Sequence, residues 1–163
     1  METNNRQQAG ERLIRILAFT LIVSVMSATM FNIVLPEIRE EYQLTFAQVS
    51  WVSAVYMLIY AVGSIVYGKL ADRYNLKQLL TFGLTIFAFG SIIGLAAQTY
   101  GMVLLGRVFQ SMGASVIPAA AMLIPVRYFS PERRGRALGI AATGLALGSA
   151  LGPIVSALFA SLF

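Results

Sequence analysis

The 163 residues are 58% hydrophobic and only 12% charged, well below the roughly 25% charged content of soluble globular domains, so a soluble domain is excluded and an integral membrane protein is predicted. Neither Cys nor His occurs, which removes disulfides, thiol chemistry, zinc sites and imidazole catalysis. The net charge of +5 would point to nucleic acid only if a basic face or stripe carried it, and its distribution has another origin.

The first fifteen residues are polar, with Arg6, Arg12 and Arg15 against Glu2 and Glu11, and are expected to form a short soluble tail over 1–15. Residues 16–36 then give 21 positions without charge, close to the ~20 that cross ~30 Å of hydrocarbon at about 1.5 Å per residue. Further apolar runs follow, so this is a retained first helix and not a cleaved signal peptide. It is expected to end in the stretch Asn32-Ile33-Val34-Leu35-Pro36. Three acids and one base fill 37–41, and a second span covers 44–67, with Trp51 placed as an interfacial anchor. Lys69, Asp72, Arg73 and Lys77 form a charged island too short to be a domain, which predicts a tight turn at the membrane surface. A third span follows over 79–97, an uncharged loop over 98–101, and a fourth span over 102–126. The link 127–136 is strongly basic, and 137–163 is a fifth span of 27 uncharged residues. The chain thus divides into the tail and a bundle of five helices over 16–163.

Lys and Arg are distributed by side. The tail has three, the first loop one, the second three, the third none and the fourth four. Cytoplasmic loops collect Lys and Arg, so the N-terminus, the turn after Gly68 and the link at Arg133 are expected in the cytoplasm. The basic total is then a topogenic signal that requires no nucleic-acid partner.

Arg107 is the only charge inside a predicted span. Placing a cation there costs a few kcal/mol or more, so it should face a polar cavity, or else snorkel to the headgroups from the start of its helix. Arginine does not readily release a proton; its expected role is electrostatic, toward a carboxylate or an anionic group of a substrate. No Asp or Glu lies inside any predicted span. Gly144, Gly148 and Gly152 fall at i, i+4 and i+8, a stripe that lets another helix approach closely. No nucleophile–base pair, metal cluster or phosphate loop is visible, so neither an enzyme nor a cofactor is expected.

Gly68, Leu70, Ala71, Asp72, Arg73, Lys77 and Leu80 match in register the pattern Gly-x-Leu-Ala-Asp-Arg-x-Gly-Arg-Lys-x-x-Leu, and the chain resembles the major facilitator superfamily in this signature between its second and third helices. Asn75 stands where that pattern has glycine, and Leu76 where it has a basic residue. Asn tolerates a left-handed backbone better than other non-glycine residues, so the first departure is mild. Asn32 to Pro36 is similar to the end of the first helix in the superfamily's drug/proton antiporters. Trp51, Val52, Tyr56 and Leu58 resemble a second-helix pattern of their fourteen-helix branch, which includes tetracycline efflux proteins. Arg107, Gln110 and Gly113 resemble Arg-x-x-Gln-Gly-x-Gly-Ala-Ala, with Ser111 and Ser115 replacing a glycine and an alanine. Gly139, Gly148, Gly152 and Pro153 reproduce Gly-x8-Gly-x3-Gly-Pro, with Ser156 and Ala157 in place of a closing glycine pair.

The resemblance implies the following roles. Gly68, Asp72, Arg73 and Lys77 would form a conformational latch; Arg107, Gln110 and Asn32 a polar, proton-coupling cavity; and Gly139, Gly148, Gly152 and Pro153 the mark of antiport. Ser27 occupies a position where several relatives of this branch carry an acid, so a titrating carboxylate would come from segments outside these residues. The superfamily builds its transporters from three-helix repeats around a midplane site, of which five helices are a partial N-terminal half. Two functions stay open. One is the N-terminal part of a proton-coupled antiporter of the cell membrane that exports small drug-like amphipathic compounds once further helices complete it. The other is a truncated, non-transporting membrane module that packs with itself or with a second-half partner.

Overall fold

A computed structural model describes residues 2–162, with side chains from 8 to 158. Six helices account for nearly all of it: α1 (Glu2–Glu41), α2 (Phe46–Leu70), α3 (Leu76–Leu95), α4 (Tyr100–Ala114), α5 (Val116–Tyr128) and α6 (Pro131–Leu162). Five stretches are long and apolar enough to cross a membrane, because α4 and α5 together make one span over Tyr100–Tyr128. The all-α, five-span architecture is the one expected. The chain divides into two compact units, residues 1–33 with 120–163, and residues 34–119.

The helices overrun the boundaries drawn at charged residues. The expected soluble tail is helical from Glu2, and α1, with 40 residues, is about 60 Å long, twice the hydrocarbon thickness. The reason is an amphipathic face: Gly10, Leu13, Ile14 and Leu17 are buried while Arg12 and Arg15 are exposed. Gly10 carries no side chain where it meets Tyr128 and the Phe129 ring. Nor does α1 stop at Pro36, which removes a single backbone donor without ending the helix. The end comes at Gln43, the one described non-glycine residue with positive φ, at 49°. Gln43 N–H donates to Glu40 O at 3.3 Å and Leu44 N–H to Arg39 O at 2.9 Å, the paired bonds of a Schellman C-cap.

Thr45 then opens α2 with a capping box: its hydroxyl accepts from Gln48 N–H, and its own N–H donates to Gln48 Oε1 at 2.9 Å. Asn75 does not use a left-handed backbone. It is the extended N-cap of α3, φ −65° and ψ 132°, so glycine's freedom is not needed there. The expected single fourth helix is interrupted at Ser115, three residues before Pro118, whose missing N–H leaves the Ala114 carbonyl without its helical donor.

In the second unit α3 and α4 run antiparallel and meet backbone to backbone. A Cβ on Gly90 would lie 2.5 Å from Gln110 N and 2.8 Å from Gly106 O; one on Gly106 would lie 3.0 Å from Gly94 N. Gly113 sits equally close to Gly83 O and the Phe87 backbone. Gly83 and Gly90, like Gly106 and Gly113, are seven residues apart, so the contact recurs every two turns on one face of each helix. Beside this pair, Gly63 of α2 accommodates the Ser115 side chain. In the first unit α6 lies as tightly on α1: Gly144 faces Ala18, Gly148 faces Ile22 and Val25, and Gly152 faces Thr29 and Met26 O.

A left-handed glutamine costs roughly 1 kcal/mol that glycine avoids. Gln43→Gly is therefore expected to stabilise the detergent-solubilised protein against thermal unfolding, and Gln43→Val to destabilise it; equal melting of both variants would contradict the cap.

Candidate functional site

Arg107 lies seven residues into α4, about 10 Å along its axis from Tyr100, and is 3% exposed. Its guanidinium carbon sits 4.1 Å from the centroid of the Tyr56 ring on α2, where the negative face of the π system meets a desolvated cation. Arg107 Nη1 donates to Gln110 Oε1 at 3.1 Å, one turn on. A guanidinium has donors only, so Gln110 must turn its oxygen toward Arg107. That leaves its amide Nε2 to donate to Ser91 Oγ of α3 at 3.1 Å. Ser91 in turn donates to the Phe87 carbonyl at 2.9 Å.

The glycine contact of α3 with α4 places these groups. Gly90 rests on the Gln110 backbone, and Ser91 is the next residue, so close helix approach is what brings the hydroxyl within reach of the amide. Phe89 and Phe109 pack edge to face at 5.3 Å beside it. Ser111 and Ser115 are fully buried, and their hydroxyls donate to their own helix, to Val108 O at 2.9 Å and Met112 O at 2.7 Å. They therefore fill the glycine and alanine positions of the pattern without leaving a polar atom unsatisfied.

Of the residues grouped around Arg107 in the sequence, Gln110 is in direct contact. Asn32 belongs to α1 in the first unit, at an exposed position. Tyr56 and Ser91 were not assigned to this cluster from sequence. Tyr56 stood in the second-helix pattern with no partner, and a serine inside an apolar helix signals nothing by itself.

At the other end of the second unit, Asp72, Arg73 and Lys77 are exposed on the turn joining α2 to α3, while Ala71 and Leu76 anchor it, 1% and 2% exposed. Asp72 N–H donates to Lys69 O at 3.2 Å and Arg73 N–H to Leu70 O at 3.0 Å. Gly68 has open space where a Cβ would lie. In the first unit, Gly148 and Gly152 lie in the α1–α6 contact, whereas Gly139 faces open space and Pro153 is exposed. Thr29, which Gly152 admits, donates to Val25 O and Met26 O, both at 3.0 Å.

Buried helix contacts made through small residues and five apolar spans define a polytopic helical membrane protein. The chain belongs to the Major Facilitator Superfamily, whose sequence profile matches residues 17–163, and so is a multi-pass protein of the cell membrane and not an enzyme. It is 31% identical over 159 residues to multidrug resistance protein 3 of Bacillus subtilis (strain 168), covering 97% of this chain and 31% of that protein. It is 28% identical over 140 residues to the riboflavin transporter RibZ of Clostridioides difficile (strain 630), covering 86% and 31%. It is 27% identical over 154 residues to the methylenomycin A resistance protein of Bacillus subtilis (strain 168), covering 94% and 33%. The chain spans about a third of the length of these relatives.

The stacking of Arg107 on Tyr56 is measurable by a double-mutant cycle. Tyr56→Leu is expected to cost about 1–2 kcal/mol, as a desolvated cation–π contact does, and much less when Arg107→Met is already present. Additive losses in thermal stability would show that the ring does not hold the cation.

Proposed function

We propose that these residues form part of a proton-coupled exporter of small amphipathic compounds, working by alternating access. The observation that carries this is Arg107, a fixed cation kept out of lipid by Tyr56 and Gln110. A buried cation inside a span is costly and is the usual sign of an ion or substrate pathway. Two of the relatives named above are resistance proteins, which favours export. The glycines of the antiport pattern that press α6 against α1 supply a smooth contact along which helices shift at small steric cost. In this reading Asp72, Arg73 and Lys77 on the α2–α3 turn act as a latch of one conformational state, with Gly68 keeping its approach open. The proton-binding carboxylate is supplied by helices outside these 163 residues, and the N-terminus, the Asp72 turn and the Arg133 link face the cytoplasm.

A second reading, transport of a planar heterocycle with no antiport, is favoured by the similarity to a riboflavin transporter.

Replacing the matched segment of multidrug resistance protein 3 with residues 1–163 is expected to leave a working exporter, whereas the chain alone confers no resistance. In that chimera Arg107→Ala should abolish drug efflux, and Asp72→Asn should cut efflux while drug binding persists. Efflux unchanged by Arg107→Ala at equal expression would sink the proposal; riboflavin uptake without drug efflux would favour the second reading. Single cysteines replacing Gln8, Tyr100 and Glu132 should react with an impermeant reagent from outside only at position 100, and external labelling at 132 would reverse the orientation.

A further inference from the structure

The first unit holds a cleft between α1 and the start of α6 that neither the transport reading nor the superfamily pattern uses. Its rim is cationic, formed by Arg15, Arg133 and Arg136, and its floor is apolar, formed by Ile14, Ala137 and Ile140. Arg15 is the last charge before the uncharged stretch of α1, and Arg136 the last before that of α6. The rim therefore lies at the edge of the hydrocarbon and the floor just inside it. Ile14 and Ala137 are 2% and 0% exposed, so the floor is fixed by packing. The walls are fixed too, by Gly10 against Tyr128 and Phe129 and by Gly144 against Ala18.

The charges on the rim are largely uncommitted. Arg15 reaches Glu11, which also lines the cleft, only at 4.0 Å and with its side chain 80% exposed. Among the described residues neither Arg133 nor Arg136 has an ion-pair partner. Arg134, between them in sequence, points elsewhere: its Nη2 donates to Val126 O of α5 at 3.3 Å. Three guanidinium groups against one carboxylate leave a net charge of about +2 over an apolar floor. Guanidinium forks match phosphate oxygens bidentately, and basic pockets between helices at the membrane surface take acidic headgroups.

We propose that this cleft binds one anionic phospholipid, its phosphate among Arg15, Arg133 and Arg136 and the start of an acyl chain along the half-buried Ile140. The partly accessible Ile140, next to the uncharged stretch of α6, is what favours a lipid over free phosphate as the occupant. A bound lipid would tie α1 to the start of α6, next to the contact of Gly10 with Tyr128 and Phe129.

The test uses the full chain in detergent, with bound lipid counted by native mass spectrometry and unfolding followed thermally. Phosphatidylglycerol is expected to be retained and to raise the melting temperature more than phosphatidylcholine does. Arg133→Gln with Arg136→Gln should weaken its retention by roughly tenfold or more, given about 1 kcal/mol per basic residue at the surface. Both side chains are exposed, so helicity by circular dichroism should be unchanged. Lys69→Gln with Lys77→Gln, which removes the same charge from the α2–α3 turn, should leave retention intact. Equal loss in the two double variants would show diffuse attraction only, and equal stabilisation by phosphatidylcholine would remove the need for an anion. Inorganic phosphate protecting as well as the lipid would remove the lipid. Each of these three results overturns the proposal.

Discussion

Helices dissolved in lipid gain little from burying leucine against leucine, because the surrounding tails are as apolar as the side chains. What remains to hold them is close packing, and in this chain glycine supplies it within each unit. Gly83, Gly90, Gly106 and Gly113 bring α3 and α4 together, and Gly144, Gly148 and Gly152 bring α6 onto α1. The atoms opposite these glycines are mostly backbone, which has no alternative rotamer to adopt. Such contacts are intolerant of added volume.

The polar cluster depends on that geometry. A cation inside a span is tolerable only with a dense set of partners, and these come from three helices: Tyr56 of α2, Gln110 of α4 and, through Gln110, Ser91 of α3. If α3 stood off by the width of a methyl group, Ser91 would leave hydrogen-bond range and Gln110 would keep one partner fewer. Close helix packing and polar satisfaction are thus one constraint seen from two sides. Two tyrosines add bonds between elements: Tyr42 Oη, just after α1, donates to Ala97 O, just after α3, at 3.1 Å, and Tyr100 Oη at the start of α4 donates to Gln48 O in the first turn of α2 at 3.0 Å.

The five spans were legible in the sequence because each is a long uncharged run, and hydropathy alone marks such runs. Their ends were not. Boundaries drawn at Arg15, Pro36 and Arg136 assumed that a charge or a proline stops a helix, whereas backbone bonding continues wherever an apolar face such as Leu13–Ile14–Leu17 has something to rest on. The end of α1 at Gln43 carries no sequence signal, since the left-handed position there is filled by a residue that does not favour it. The stripe Gly144–Gly148–Gly152 was visible at helical spacing, but its partner α1 was not. The matching seven-residue spacing of Gly83 with Gly90 and of Gly106 with Gly113 was also present in the sequence, and two glycine pairs of equal spacing in consecutive spans were the overlooked sign of the α3–α4 contact. Arg107 and Gln110 stood out by chemistry; Tyr56 and Ser91 join them only through the three-dimensional packing.

An alanine scan of the glycines, read as thermal stability in detergent, tests the dependence on backbone contact most directly. Alanine at an open helical glycine should be neutral or stabilising, by up to about 1 kcal/mol, and this is expected at Gly101, Gly135 and Gly139, which face open space. At Gly83, Gly90, Gly113, Gly148 and Gly152 the added methyl has no room, and losses of about 1–3 kcal/mol are expected. Two clearly separated groups of melting temperatures are predicted; overlap of the groups would mean that the helices are held by something other than their glycine contacts.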